Sequence, residues 1–293
     1  MDRKGTTPGS NVNIRPVPSS YRVTNWLDEA KPAKAEYQDF WDNENNEQGK
    51  ETDVLDGDFT KLERYLNEIG SIQDLADCIR VLREKFGRQL SGEGIDLAAG
   101  NLWAAPHFAS IESIRKIYCL EFSKHRLLKH GPALLDHYQV PPDRVELVLG
   151  SFYDLRLPDR SMDFVFLAAA FHHADRPKEL LAEIRRVLTP SGVVIIIGEH
   201  KLPVIRAYLK NAVKFFLTRI LPEGVQMKLI EKKLRADRLF PGVHDLFPTD
   251  QILGDHYYTP KEYADMFASC GFIAKRVRRA NSIFASYILF KAT

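Results

Sequence analysis

Gly94-Ile95-Asp96-Leu97-Ala98-Ala99-Gly100 is a short apolar run that ends in a turn of small residues, and the next apolar run is Ile117-Tyr118-Cys119-Leu120-Glu121. About twenty residues separate Gly100 from Glu121, the spacing that one strand, helix and strand unit needs in a dinucleotide-type fold. A helix can follow from Leu102. In such sheets ligands sit outside the carboxyl ends of the strands, so Glu121, at a strand tip, would face two vicinal ribose hydroxyls and accept from both. Val145 to Leu149 gives a third strand and Phe164 to Leu167 a fourth, with Phe171-His172-His173 just past its end. Leu180 to Leu188 reads as an amphipathic helix, closed by the turn chemistry of Thr189-Pro190-Ser191-Gly192. Val193 to Ile197 is a fifth strand, apolar on both faces and therefore central and parallel.

The order and wording of these residues resemble a class I S-adenosylmethionine-dependent methyltransferase of the broad small-molecule type. The match is closest from Ser161-Met162-Asp163-Phe164-Val165 through Phe171-His172-His173, then over Glu183-Ile184-Arg185-Arg186-Val187-Leu188-Thr189-Pro190-Ser191-Gly192. It covers residues 90 to 200 well and the last strands more weakly. The resemblance implies a Rossmann-like, doubly wound α/β sheet of seven strands, mostly parallel with one antiparallel strand. It also implies that Asp96 and the Ala98 to Gly100 turn lie against the methionine part of the cofactor, and that Glu121, with Phe122 beside it, holds the ribose. Ser151 and Phe152 would flank the adenine, with Ala168 and Phe171 completing the cofactor set.

Two positions depart from the family pattern. Its glycine turn has glycine at three alternate places, which here are Ala98, Gly100 and Leu102, and a leucine at the third costs room where backbone should approach a ligand. Ser151 stands where the family commonly has an aspartate, and a hydroxyl accepts more weakly than a carboxylate.

A chain of 293 residues, 44% of them hydrophobic, can bury a large core, and one doubly wound domain with extensions fits better than two independent domains. A formal net charge of +2 does not suggest a nucleic-acid binder. Cys78, Cys119 and Cys270 are far apart and lack metal-ligand spacing, so reduced thiols and no metal site are expected. The polar N-terminus gives no secretory signal, and no apolar run reaches the length of a membrane span, which points to the cytoplasm.

Outside the core, residues 1–20 read as a disordered arm, and residues 21–90 as an N-terminal helical extension to the core at 91–200. Tyr37, Phe40 and Trp41 fall on one side of a short helix, packing on the main domain or closing over a cofactor. Phe59 to Phe86 reads as two helices parted near Gly70-Ser71. Residues 201–258 form a helical insertion after the fifth strand. Between Lys201 and Phe240 ten Lys or Arg face three Asp or Glu, which suits a solvated helix pair, a lid over an anionic and partly apolar substrate, or a membrane-surface patch. Arg206, Lys210, His256 and Tyr257 are its candidate substrate residues. Residues 259–293 supply a last helix, with Thr259, Pro260 and Glu262 in capping-box spacing, and two closing antiparallel strands.

The implied chemistry is direct in-line displacement of the sulfonium methyl by a small-molecule nucleophile. His173 and His200, just past strand ends, are candidate bases for a protic acceptor, or else structural residues. Two other readings stay open: a catalytically silent binding or scaffold protein of the same fold, and a site for a different nucleotide such as a dinucleotide.

Overall fold

In a computed structural model the described residues are 20–27, 57–222 without 201–218, 224–225, 256, 258–279 and 284–292; the side chain of His200 lies outside them. Eight strands form one sheet in the order β1-β4-β3-β2-β5-β6-β8-β7. The strands are β1 (Arg22–Asn25), β2 (Gly92–Leu97), β3 (Ile114–Glu121), β4 (Val145–Leu149), β5 (Met162–Ala168), β6 (Leu188–His200), β7 (Phe272–Val277) and β8 (Phe284–Lys291). Only β8 runs against its neighbours, β6 and β7. The chain leaves β2 toward β3 and β4, then crosses back to lay β5 on the other side of β2. That reversal is the switch point of a doubly wound sheet, where the strand tips open a crevice.

Period-two alternation builds the core. Ile195 and Ile197 face one apolar cluster while Val194 and Ile196 face another, so β6 is buried on both sides. One face is covered by α2 (Ser71–Phe86) through Leu75, Cys78 and Leu82. The other is covered by α5 (Pro177–Val187) and α6 (Pro260–Ser269), through Leu180, Ile184, Tyr263 and Phe267. Each such fully buried side chain contributes about 1.5 to 3 kcal/mol. Between α2 and the preceding α1 (Phe59–Ile69) stands Gly70 at φ 80°, a left-handed cap that only glycine adopts without cost. The expected capping box is present at α6, where Thr259 accepts from the Glu262 amide and Glu262 accepts from the Thr259 amide.

Three expectations change. The sheet has eight strands, not seven, because Arg22–Asn25 pairs in parallel with β4 at the edge, inside a segment read as helical. Residues 189–192 belong to β6, yet the pairing jumps from Met162 with Leu188 to Phe164 with Val193, so the turn chemistry appears as a bulge. The helix expected from Leu102 is only α3 (Ala105–Ala109). The arm, the aromatic segment around Tyr37, Phe40 and Trp41, and nearly all of the 201–258 insertion lie outside the described residues.

Candidate functional site

The β2 tip enters a turn in which Ala98, Gly100 and Leu102 have φ of 57°, 59° and 68°. All three glycine positions are therefore left-handed, although only one carries glycine. The two L side chains cost about 1 to 2 kcal/mol each in backbone strain, which the surrounding packing must hold in place. Leu102 does not take ligand space as expected. Its side chain is fully buried in the core against Gly131, the first residue of α4 (Gly131–His137), where a Cβ would stand 2.4 Å from Leu102 Cδ1.

Glu121, at the β3 tip, accepts from the amides of Gly100 (2.7 Å), Phe122 (2.8 Å) and Ser123 (2.9 Å). The carboxylate thus ties the β2 turn to the adjacent strand. Asp96, one strand over, is buried with Oδ1 lacking a hydrogen-bond partner among the described residues. Burial, and then the charge of Glu121, push its carboxyl well above the usual range. Arg126 lies across the turn, its guanidinium 3.7 Å from where a Gly100 Cβ would stand, and burial lowers it to about 10.

Ser151 follows β4 and starts a turn, its hydroxyl accepting from the Tyr153 amide at 3.3 Å. Phe152 packs edge-on to Tyr153, 4.7 Å between centroids. Ala168 ends β5, half-buried. Phe171 is different: its ring is fully buried on α6, 5.6 Å from Phe267, so it serves the core.

A second carboxylate, which the sequence reading passed over, organises the β5 tip. Gly198 at φ 73° sits in a bulge of β6, between Ile196 paired with Tyr287 and Glu199 paired with Ala285. The bulge delivers Glu199 to the turn of residues 171–173. There Glu199 accepts from the amides of Ala170 (3.2 Å), Phe171 (3.1 Å) and His172 (3.0 Å), and from the Tyr263 hydroxyl (3.3 Å), while His172 Nδ1 lies 3.0 Å away. Burial alone would raise Glu199, but His172, the Phe171 amide and the charge of His173 hold it below the usual carboxylate range. An acid in an otherwise apolar strand, directly after a glycine, was the available signal.

His173 lies half-buried beside His172, 4.2 Å between ring centroids. His256 is brought to the same turn, donating its amide to the His172 carbonyl at 2.7 Å, with Nε2 3.3 Å from Asp175. His200 pairs through its backbone with Phe284. Arg206, Lys210 and Tyr257 lie outside the described residues.

Residues 95–196, which include Asp96 and Glu121 but not Glu199, match a family model described as a methyltransferase domain. Over that span the chain is similar to a methyltransferase domain. No curated protein matches the chain. Among solved structures, an S-adenosylmethionine-dependent methyltransferase from Aquifex aeolicus is 16% identical over 76% of this chain and 97% of its own, with a TM-score of 0.46. One from Thermotoga maritima is 16% identical over 81% and 98%, at 0.45. Human N-acetylserotonin methyltransferase in complex with S-adenosylmethionine is 19% identical over 69% and 48%, at 0.44. With TM-scores below 0.5, these likenesses carry no argument, and the site stands on its own residues. No helix among the described residues is long and apolar enough to cross a membrane.

Proposed function

We propose that this protein transfers a methyl group from S-adenosylmethionine to a small-molecule acceptor that carries an anionic group and an apolar portion. The observation that carries the reading is Asp96 Oδ1, a buried acceptor with no donor among the described residues, at the switch point of the sheet and beside a left-handed turn pinned by Glu121. These residues fit the cofactor: its amino group is a cationic donor suited to Asp96, and its ribose presents hydroxyls to the Glu121 tip. The cofactor supplies an electrophilic methyl on a sulfonium, which a nucleophile displaces in line as the sulfur leaves neutral.

The protein's part is placement. Asp96 would hold the amino-acid end, the Ala98 to Gly100 turn would let backbone approach, and Ser151 with Phe152 would flank the adenine, with Ala168 at the floor. Alignment of donor and acceptor in a dry pocket then supplies most of the rate. His173, with His256 beside Asp175 at the same turn, and His200 at the end of β6 would be the candidate bases for a protic acceptor. Arg206, Lys210 and Tyr257 would meet the anionic acceptor. The buried free cysteines Cys78 and Cys119 support work in the reducing cytoplasm.

Ala98 and Ser151, in place of the family's glycine and aspartate, favour the second reading, a silent scaffold of the same fold. Asp96→Asn separates the two. Under the proposal the variant stays folded and loses about tenfold or more in S-adenosylmethionine affinity by calorimetry, the loss of one charge-assisted contact. Unchanged affinity in a folded variant would remove Asp96 from the site.

A further inference from the structure

At the opposite end of the sheet from the Asp96 and Glu121 tips lies a concavity of about 540 Å³, lined by Asp159, Arg160, Arg185, Arg186, Cys270 and Lys291, among others. It forms where β5 begins, where α5 and α6 end and where β8 finishes. Two helix ends bring about half a negative charge each, and Arg186 answers this region's acids, pairing with Asp159 at 2.8 Å and Glu183 at 2.9 Å. The other three cations are not answered in that way. Arg160 and Arg185 have no ion-pair partner among the described residues, and Lys291 donates to the Leu188 carbonyl rather than to a carboxylate. Burial and then the charges of Arg185 and Arg160 lower the Lys291 ammonium.

Two backbone features hold this arrangement. Arg160 itself is left-handed at φ 56°, a conformation costly for arginine, and its amide is tied to the Arg186 carbonyl at 2.9 Å. Gly271, at φ 76°, leaves space for Arg185, whose Nε would stand 2.7 Å from a Cβ there. We propose that this concavity is a binding site for a small phosphate-class anion, taken by Arg160, Arg185 and Lys291 and separate from the methyltransferase site. Guanidinium forks match phosphoryl oxygens in pairs, and an anion placed among three like charges relieves their repulsion. The volume admits a phosphorylated small metabolite, and inorganic phosphate with room to spare.

The test uses the full chain, with thermal denaturation and calorimetry against inorganic phosphate and, separately, ribose 5-phosphate, with sodium chloride matched for ionic strength. The site predicts saturable binding of one anion and a rise in Tm beyond that in chloride. Tighter binding of ribose 5-phosphate would identify a phosphorylated metabolite as the ligand, and equal or weaker binding would identify free phosphate. Arg160→Gly is the discriminating variant, because it removes the charge and also the left-handed strain. It should melt no lower than the parent without anion, yet bind phosphate about tenfold or more weakly. Arg185→Gln should weaken binding similarly, while S-adenosylmethionine affinity stays unchanged in both. A Tm rise equalled by chloride, or phosphate binding that survives both substitutions, would overturn the site.

Discussion

Glu121 holds three backbone amides, so its replacement has two separable consequences. Glu121→Ala should weaken S-adenosylmethionine binding by roughly 1 to 3 kcal/mol and also destabilise the fold, because buried amides lose their acceptor. Calorimetry reads the first effect and denaturant titration the second. Leu102→Gly should destabilise the protein rather than merely widen the turn. A buried leucine lost to a cavity costs about 2 to 5 kcal/mol, of which release of the left-handed strain returns about 1 to 2. A melting curve no lower than the parent's would show that the cavity closes. Both residues stood out in the sequence, Glu121 by its place at a strand tip and Leu102 by standing at a glycine position. What spacing could not show was where they point. The direction of Leu102 depends on the room at Gly131, which is 29 positions away in the chain.

The elements of the core were legible because buried strands and amphipathic helices write their period into the sequence over five or more residues. Arg22–Asn25 was not, being four residues long, mostly exposed and paired with a strand more than a hundred positions away. Glu199 was missed for a related reason: its role arises from a bulge and a remote turn. Its carboxyl lies below the usual range in the folded protein, so its contribution is complete above the unfolded value of about 4.3 and is lost as pH falls through the folded value. Glu199→Gln should therefore flatten the acid limb of stability below about pH 4 and lower stability at neutral pH by roughly 3 kcal/mol. An acid limb identical to the parent's would mean that Glu199 and its donors do not govern it. Asp96 has the opposite sign. Its folded value is raised, so its ionisation weighs against the fold as pH rises above the unfolded range.

For the whole molecule, the Asp96 sign becomes a statement about binding. A cationic ligand favours the ionised carboxylate, so the affinity for S-adenosylmethionine should rise with pH across the Asp96 titration. The acceptor side is less legible, because Arg206, Lys210 and Tyr257 belong to a segment whose sequence fixes charge and period but not contacts. Neutralising Arg206 and Lys210 together should raise the acceptor requirement or abolish turnover while leaving cofactor affinity intact, and normal turnover at low and moderate salt would dismiss the lid. All of this rests on the crevice at the tips of β2 and β3 holding S-adenosylmethionine. Calorimetric titration of the full chain with S-adenosylmethionine and with its demethylated product tests that most directly. The expected result is one site of micromolar affinity or tighter, about 8 kcal/mol. No binding of either compound by the folded protein would contradict it.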